Sequence, residues 1–237
     1  MRRICTIVAF AVLLATPGMA NLLTNGSFEN GIFTPSPIPT YNGGDPLFVG
    51  STAMTGWTVV DNNGLTSNTN QSIAWLPTGS YGLFAQNGGD FLDLTGYFEA
   101  AQNGVTLTGP WAGVQQTVNL LAGNYALTFW LGDDEVNPLY QGTVSVLVSG
   151  NNLDPVFSNT AEGGNWQLED YNFTVPFGGP TAITILGNFT SGGYYIGLDN
   201  VDLEATPEPG TALLAFPAVA GLLWYGRRKN LLRFKTR

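Results

Sequence analysis

The sequence is poorest in cations and in sulfur. It has no histidine and one cysteine, and its eight basic residues all lie at the ends: Arg2, Arg3, Arg227, Arg228, Lys229, Arg233, Lys235 and Arg237. Between Asn21 and Glu204 there are sixteen acids and no Lys, Arg or His. That body can form no side-chain salt bridge and cannot neutralise phosphates, which excludes nucleic-acid binding by it. Ser–His, Cys–His and Schiff-base catalysis are excluded with the missing residues. The single cysteine, Cys5, lies in the N-terminal apolar run, so the body holds no disulfide and its stability must come from a core. A body of this length can bury enough surface to build one. Long apolar patterns of helical period are also missing from it.

The two ends carry targeting features. Met1-Arg2-Arg3 precedes an apolar run from Ile4 to Ala15, and Gly18-Met19-Ala20 places small residues at −3 and −1 of a cleavage site. This is the pattern of a secretory signal peptide over 1–20, with the mature chain beginning near Asn21. At the other end, Ala205-Thr206-Pro207-Glu208-Pro209 forms a stiff spacer over 205–209 that cannot continue a sheet. An uncharged run follows from Gly210 to Tyr225. As a helix over 210–226 it would be roughly 26 Å long at ~1.5 Å per residue, slightly short of a ~30 Å hydrocarbon core. The end, 227–237, has six basic residues and no acid, which the positive-inside bias places in the cytoplasm.

Between these ends, 21–204 reads as one all-β domain. Short alternating runs are separated by Gly and Asn turns. Expected strands are Leu22 to Phe28, Met54 to Val60, Gly89 to Leu94, Gly113 to Leu120, Tyr125 to Leu131, Thr143 to Val148, Gln167 to Val175, Ala182 to Leu186 and Tyr195 to Leu203. Tyr125, Leu127, Phe129 and Leu131 alternate as one buried face. Ala122-Gly123-Asn124 is a turn signal, so the strands either side of it are expected to form a hairpin. Asn30 to Gly44, with Pro35, Pro37 and Pro39, should be an extended surface loop. Strands at this spacing imply a sandwich or barrel, with a jelly roll favoured.

The order Pro207-Glu208-Pro209, apolar segment, basic terminus resembles the PEP-CTERM sorting signal of Gram-negative bacteria. The resemblance implies recognition of the tail by an exosortase, a transient membrane anchor, and a destination at the cell surface or in the extracellular matrix. The body is similar to galactose-binding-like jelly rolls in four fragments: Asn25-Gly-Ser-Phe-Glu-Asn-Gly31, Gly89-Asp-Phe-Leu-Asp-Leu-Thr-Gly96, Val114 to Tyr125, and Ile196-Gly-Leu-Asp-Asn-Val-Asp-Leu203. That family includes carbohydrate-binding modules, which implies contact with exopolysaccharide. It also implies a structural Ca²⁺ tying first to last strand, with Glu29 and Asp199 as carboxylate ligands and backbone carbonyls completing six to eight oxygens. The alternative is two exposed acids at strand ends. Asp202 is expected to point away from Asp199.

No catalytic residues are assigned. Only a carboxylate pair could support chemistry, as in glycoside hydrolysis. Asp90 and Asp93, three apart on one strand, face opposite sides, and Asp133-Asp134-Glu135 reads as a solvated loop. Trp75, Tyr81, Trp111, Tyr140, Tyr194 and Tyr195, in or near Gly-rich loops, are candidate sugar-stacking rings, whereas Trp57, Phe129 and Trp130 read as core or sheet residues. Three functions remain: a non-catalytic exported protein associated with polysaccharide, a structural matrix protein without glycan specificity, and a carboxylate-dependent glycoside hydrolase.

Overall fold

The computed structural model describes residues 20–37, 39, 42–61, 63–67, 71–95, 112–132, 142–160, 165–188 and 196–206. The expected signal peptide up to residue 19, the Pro207-Glu208-Pro209 motif and the expected membrane segment and basic end after it lie outside the described residues. No described helix is long and apolar enough to cross a membrane.

The described chain forms eleven strands: β1 (Asp45–Phe48), β2 (Thr58–Val60), β3 (Ser72–Pro77), β4 (Asp90–Asp93), β5 (Gly113–Leu120), β6 (Gly123–Gly132), β7 (Thr143–Val148), β8 (Val156–Ser158), β9 (Gln167–Val175), β10 (Gly179–Gly187) and β11 (Gly197–Ala205). They make two sheets, ordered β1-β3-β4-β11-β6-β9 and β2-β5-β10-β7-β8. Every strand pairing is antiparallel. From β8 to β11 each successive strand passes to the opposite sheet, so the sandwich is closed by connections across its ends.

Alternation decides which side chains meet between the sheets. On β6, Tyr125, Leu127, Phe129 and Leu131 are all buried, as the sequence pattern requires. They pack with Val114, Val146, Ile183, Ile185 and Leu198 in one continuous core. Trp57 and Phe129 are fully buried, at 1% and 0% exposure, while Trp130 lies half-buried on the outer face of the six-stranded sheet.

Two expectations about pairing are corrected. The runs at 113–120 and 125–131 are not a hairpin: β5 pairs with β2 and β10, and β6 with β11 and β9, in different sheets. The link at Leu121-Ala122 is an arch over the end of the core. Each strand carries one apolar face, and facing each other across the sandwich buries both where a hairpin would merely align them.

The segment from Leu22 to Phe28 is not a ladder strand. Asn25 and Phe28 have left-handed φ of 57° and 58°, which breaks the extended run. Side chains replace the missing ladder. Asn21 Oδ1 accepts the N–H groups of Leu23 and Leu203 at 2.9 and 3.0 Å, and its Nδ2 donates to Val201 O at 2.8 Å. Leu22 N–H donates to Leu203 O and Val201 N–H to Gly26 O, both at 2.8 Å. From the other sheet, the Gln116 side chain grips Thr24, accepting its N–H at 2.7 Å and donating to its C=O at 2.9 Å. The expected proximity of the chain's first and last elements therefore holds, by side-chain stapling rather than a strand pair. The early strand at Met54–Val60 is also shorter, confined to Thr58–Val60, with Met54 in an isolated bridge to Gly31.

Candidate functional site

The seven residues from Asn25 to Gly31 have separate tasks. Asn25 uses its side chain as a bracket, donating to Asn30 O and Thr55 O and accepting from Asn30 N–H at 3.0 Å. Its carbonyl accepts the Trp57 indole N–H at 2.9 Å. Gly26 is required by space: a Cβ there would sit 1.9 Å from Val201 O. Phe28 is fully buried, its ring 5.4 Å from that of Trp57. This geometry leaves Glu29 projecting towards the segment Gln86–Asp90.

Glu29 and Asp199 both hold that segment. Glu29 Oε1 accepts the N–H groups of Gly89 and Asp90, each at 2.9 Å. Asp199 Oδ2 accepts those of Gln86 and Asn87 at 2.8 and 2.9 Å, and its Oδ1 that of Asn200 at 2.6 Å. A Cβ on Gly88, where φ is +80°, would lie 2.3 Å from Glu29 Oε1, so glycine is what lets the carboxylate approach. On β11 a bulge between Asp199 and Asp202, with Asn200 at φ 47°, brings Asp199 opposite Trp130 and Asp202 opposite Thr128. Trp130 and Thr128 share one face, so Asp202 is on the same face as Asp199, contrary to expectation. It lies further along, beside Glu204 rather than Glu29.

Asp199 is fully buried. Burial raises its pKa from the usual 3.8 to about 7; the N–H groups of Asn87, Asn200 and Gln86 oppose the rise and the charge of Glu29 adds to it. Asp90 is raised too, by burial first and then by Glu29, so these three acids share one field. Asp202 is raised by burial and by Glu204, and its Oδ1 is buried without a hydrogen-bond partner.

The Glu29–Asp199 clasp tests the expected Ca²⁺. Glu29 Oε1 and both oxygens of Asp199 already receive N–H donors, and among the described residues no group of three or more acid, His or Cys side chains is arranged to hold a metal ion. The donor chemistry still suits a hard cation. Glu29 Oε2 stands outside the clasp, and the side-chain oxygen of Gln86, whose N–H binds Asp199, is buried with no donor.

The clasped segment is one end of a loop, Thr78–Gly89, folded over the outer face of the six-stranded sheet. Thr78 N–H donates to Gly89 O at 2.7 Å, Ala85 N–H to Thr78 Oγ1 at 2.9 Å and Ser80 Oγ to Pro77 O at 2.6 Å. Beneath it Leu83 joins Ala74, Leu76 and Phe91 in a second apolar cluster, covered at its edge by Trp166. Trp166 meets Phe91 edge-on at 5.8 Å and donates its indole N–H to Phe84 O at 2.6 Å. Gly132 and Gly197 make room for this layer, since a Cβ at either would come within 2.9 Å of Leu83. The loop leaves two rings outside, Tyr81 at 41% and Phe84 at 70% exposure. Tyr81 has φ 52° between Gly79 and Gly82, both left-handed. Its hydroxyl pKa is raised by burial and by the charge of Asp93.

Of the rings expected to contact sugar, Tyr81 is thus presented. Trp75 is corrected: at 1% exposure it belongs to the core, with Phe33 edge-on at 5.0 Å. β3 alternates Ile73 and Trp75 inward, so its Gly-rich neighbours say nothing of its own facing. Trp111, Tyr140, Tyr194, Tyr195 and Asp133-Asp134-Glu135 lie outside the described residues. Asp90 and Asp93 occupy opposite faces of β4, pairing with Pro77 and Ala74. Asp93 accepts from Thr95 Oγ1 at 2.6 Å and from the N–H groups of Thr95 and Ile196. Phe84 and Trp166 carry no local sequence signal of their own; Gly79 and Gly82 around Tyr81 are the signal for a shaped loop.

No protein-family profile matches the chain, and no curated protein matches it. Among solved structures, the chain is similar to a Stig cyclase, Fisc, from Fischerella sp. TAU in complex with (3Z)-3-(1-methyl-2-pyrrolidinylidene)-3H-indole. Identity is 19% over 80% of this chain and 98% of that one, with a TM-score of 0.51. Looser likenesses are a family 35 carbohydrate binding module from Clostridium thermocellum (13% identity, 68% of this chain and 99% of that one, TM-score 0.42) and TmCBM61 in complex with β-1,4-galactotriose (20%, 78% and 99%, TM-score 0.37). What the chain has in common with the cyclase is the fold, an antiparallel β-sandwich of two sheets.

Proposed function

We propose that this chain is an exported, non-catalytic carbohydrate-binding protein whose C-terminal tail is an exosortase-type sorting signal. The observation that carries the binding reading is the Thr78–Gly89 loop. It holds two exposed aromatic rings, Tyr81 and Phe84, on a backbone held at its Gln86–Gly89 end by the exposed carboxylate of Glu29 and the buried one of Asp199, and at its Thr78 end by hydrogen bonds. A sugar ring stacks on such faces through its C–H surface, and a braced loop loses little entropy on binding. The cation-free body suits a neutral polysaccharide rather than an acidic one. Export and sorting rest on the sequence: the leader at 1–20, Pro207-Glu208-Pro209, the apolar run and the basic end.

Non-catalysis is supported by the same site. Asp199 has the raised pKa of a general acid, but it is buried beneath the loop, with Oδ2 accepting two backbone N–H groups and Oδ1 one, so no glycosidic oxygen can reach it while the loop is closed. A single Ca²⁺ at Glu29 and Asp199, completed by amide and backbone oxygens, belongs to this proposal as a structural ion. The test is a glycan array with the purified chain, followed by titration of the hits. Tyr81→Ala and Phe84→Ala should each weaken binding about threefold to tenfold, the scale of one aromatic contact of ~0.5–1.5 kcal/mol. No glycan binding at all would favour the structural matrix protein, and release of cleaved sugar from the hits would favour the hydrolase.

A further inference from the structure

The end of the sandwich from which the tail departs has two bare apolar tips. One is the arch between β5 and β6, where Leu121 is 79% exposed; the other is the turn between β9 and β10, where Phe177 is 84% exposed. The tips are neighbours, because a Cβ on Gly178 would lie 3.5 Å from both Leu121 Cα and Ala122 N. Neither Leu121-Ala122 nor Pro176-Phe177-Gly178 carries a charge. The chain leaves beside them: Ala205 pairs with Tyr125, and Thr206 N–H donates to Asn124 O at 2.8 Å.

From Thr206 the apolar run begins at Gly210, four residue steps away, a reach of at most about 14 Å. Where that run enters a bilayer, the same short tether sets this end of the domain against the lipid surface. We infer that Leu121 and Phe177 dip into the interfacial layer of a zwitterionic membrane and fix the domain's orientation on it. The inference rests on the sorting-tail reading given above. Lipid is favoured over other occupants by that tether and by charge. A body with no Lys, Arg or His between 21 and 204 cannot be drawn to anionic headgroups, so apolar insertion is the attachment chemistry available to it. Gly132, Gly197 and Trp166 lie at the opposite end of β6, β9 and β11, so this orientation turns the Tyr81–Phe84 loop away from the membrane.

The test uses the full mature chain, Asn21 to Arg237, which holds no cysteine of its own, carrying one added cysteine labelled with an environment-sensitive fluorophore. Leu121→Cys, Phe177→Cys and, as control at the opposite end, Thr160→Cys are reconstituted in phosphatidylcholine vesicles with and without nitroxide-labelled lipid. The same chains ending at Thr206 show whether the tail is what holds them. Labels at 121 and 177 should shift to the blue and lose at least half their emission to the nitroxide, with little change at 160. Vesicle association that requires residues 207–237 but gives equal quenching at all three sites overturns the orientation and leaves the sorting reading standing. Failure of the full chain to associate, or association undiminished without the tail, overturns both. A blue shift without nitroxide quenching means the tips meet a second copy of the chain, and also overturns the inference.

Discussion

Asp199 makes stability depend on pH in a direction opposite to that of most structural carboxylates. Its pKa in the folded protein, raised by burial from the usual 3.8 to about 7, means the folded state holds the proton more tightly than the unfolded chain. The stabilisation from this group is therefore full below about pH 4 and is lost as pH rises through about 7. A shift of that size corresponds to about 4 kcal/mol across the window. At ~2–4 °C per kcal/mol for a domain of this size, the loss in melting temperature is on the order of 10 °C. Asp199→Asn removes the proton while keeping an oxygen for Gln86 and Asn87; its amide N–H₂ faces the N–H of Asn200 at a constant, pH-independent cost. Asp45, Asp90, Glu169 and Asp202 are also raised by burial and act in the same direction, but they are common to both proteins. The measurement is thermal unfolding of wild type and variant from pH 4.5 to 8.5 at constant ionic strength, read as the difference between them. That difference should shrink or reverse as pH rises, because the wild type loses what the variant never had. Parallel curves would refute the assignment, and a wild type that gains on the variant with rising pH would reverse its sign.

Two further outcomes follow from the same neighbourhood. Gly26→Ala places a Cβ 1.9 Å from Val201 O and must push the N-terminal segment off β11; a loss of about 3 kcal/mol or more, measured by denaturant unfolding, is expected, and a change under 1 kcal/mol would show that the staple is dispensable. Ca²⁺ at a hundredfold excess over its dissociation constant should raise stability by about 2.7 kcal/mol, more than Mg²⁺ at matched ionic strength, with the gain lost in Glu29→Gln and Asp199→Asn; equal responses to the two ions would indicate screening alone.

Strand existence was legible wherever alternation was clean. At 125–131 the period of two gave both the strand and its buried face, because facing is a local property. Partnership is not local, so the turn signal Ala122-Gly123-Asn124 pointed to a hairpin, whereas the link at Leu121-Ala122 is an arch between sheets. The same limit applies to Asn25-Gly-Ser-Phe-Glu-Asn-Gly31. Its composition suits a strand end, yet left-handed φ at Asn25 and Phe28, side-chain brackets and a grip from Gln116 of the other sheet make it a staple. Glu29 and Asp199 were singled out by resemblance, and they do act together. What they hold, the Gln86–Asp90 amides, lies sixty residues from Glu29 and over a hundred from Asp199, beyond any local pattern. The bulge at Asn200 inverted the expected facing of Asp202 because one added residue shifts alternation by one step.

The course of β11 has a mechanical consequence. The strand begins near the Asp199 clasp on the aromatic loop and ends at Ala205, one residue before the last described residue, Thr206. A pull between a captured polymer and an anchored tail would run along β11 from end to end. Its hydrogen bonds to β6 stand perpendicular to the strand, so such tension shears them together rather than parting them one at a time. The Asn21 side chain, bonded to Val201 and Leu203, adds resistance along the same line. Under such a pull β11 would be the tension member of the domain, placed between β4 and β6 where neither side is an open edge.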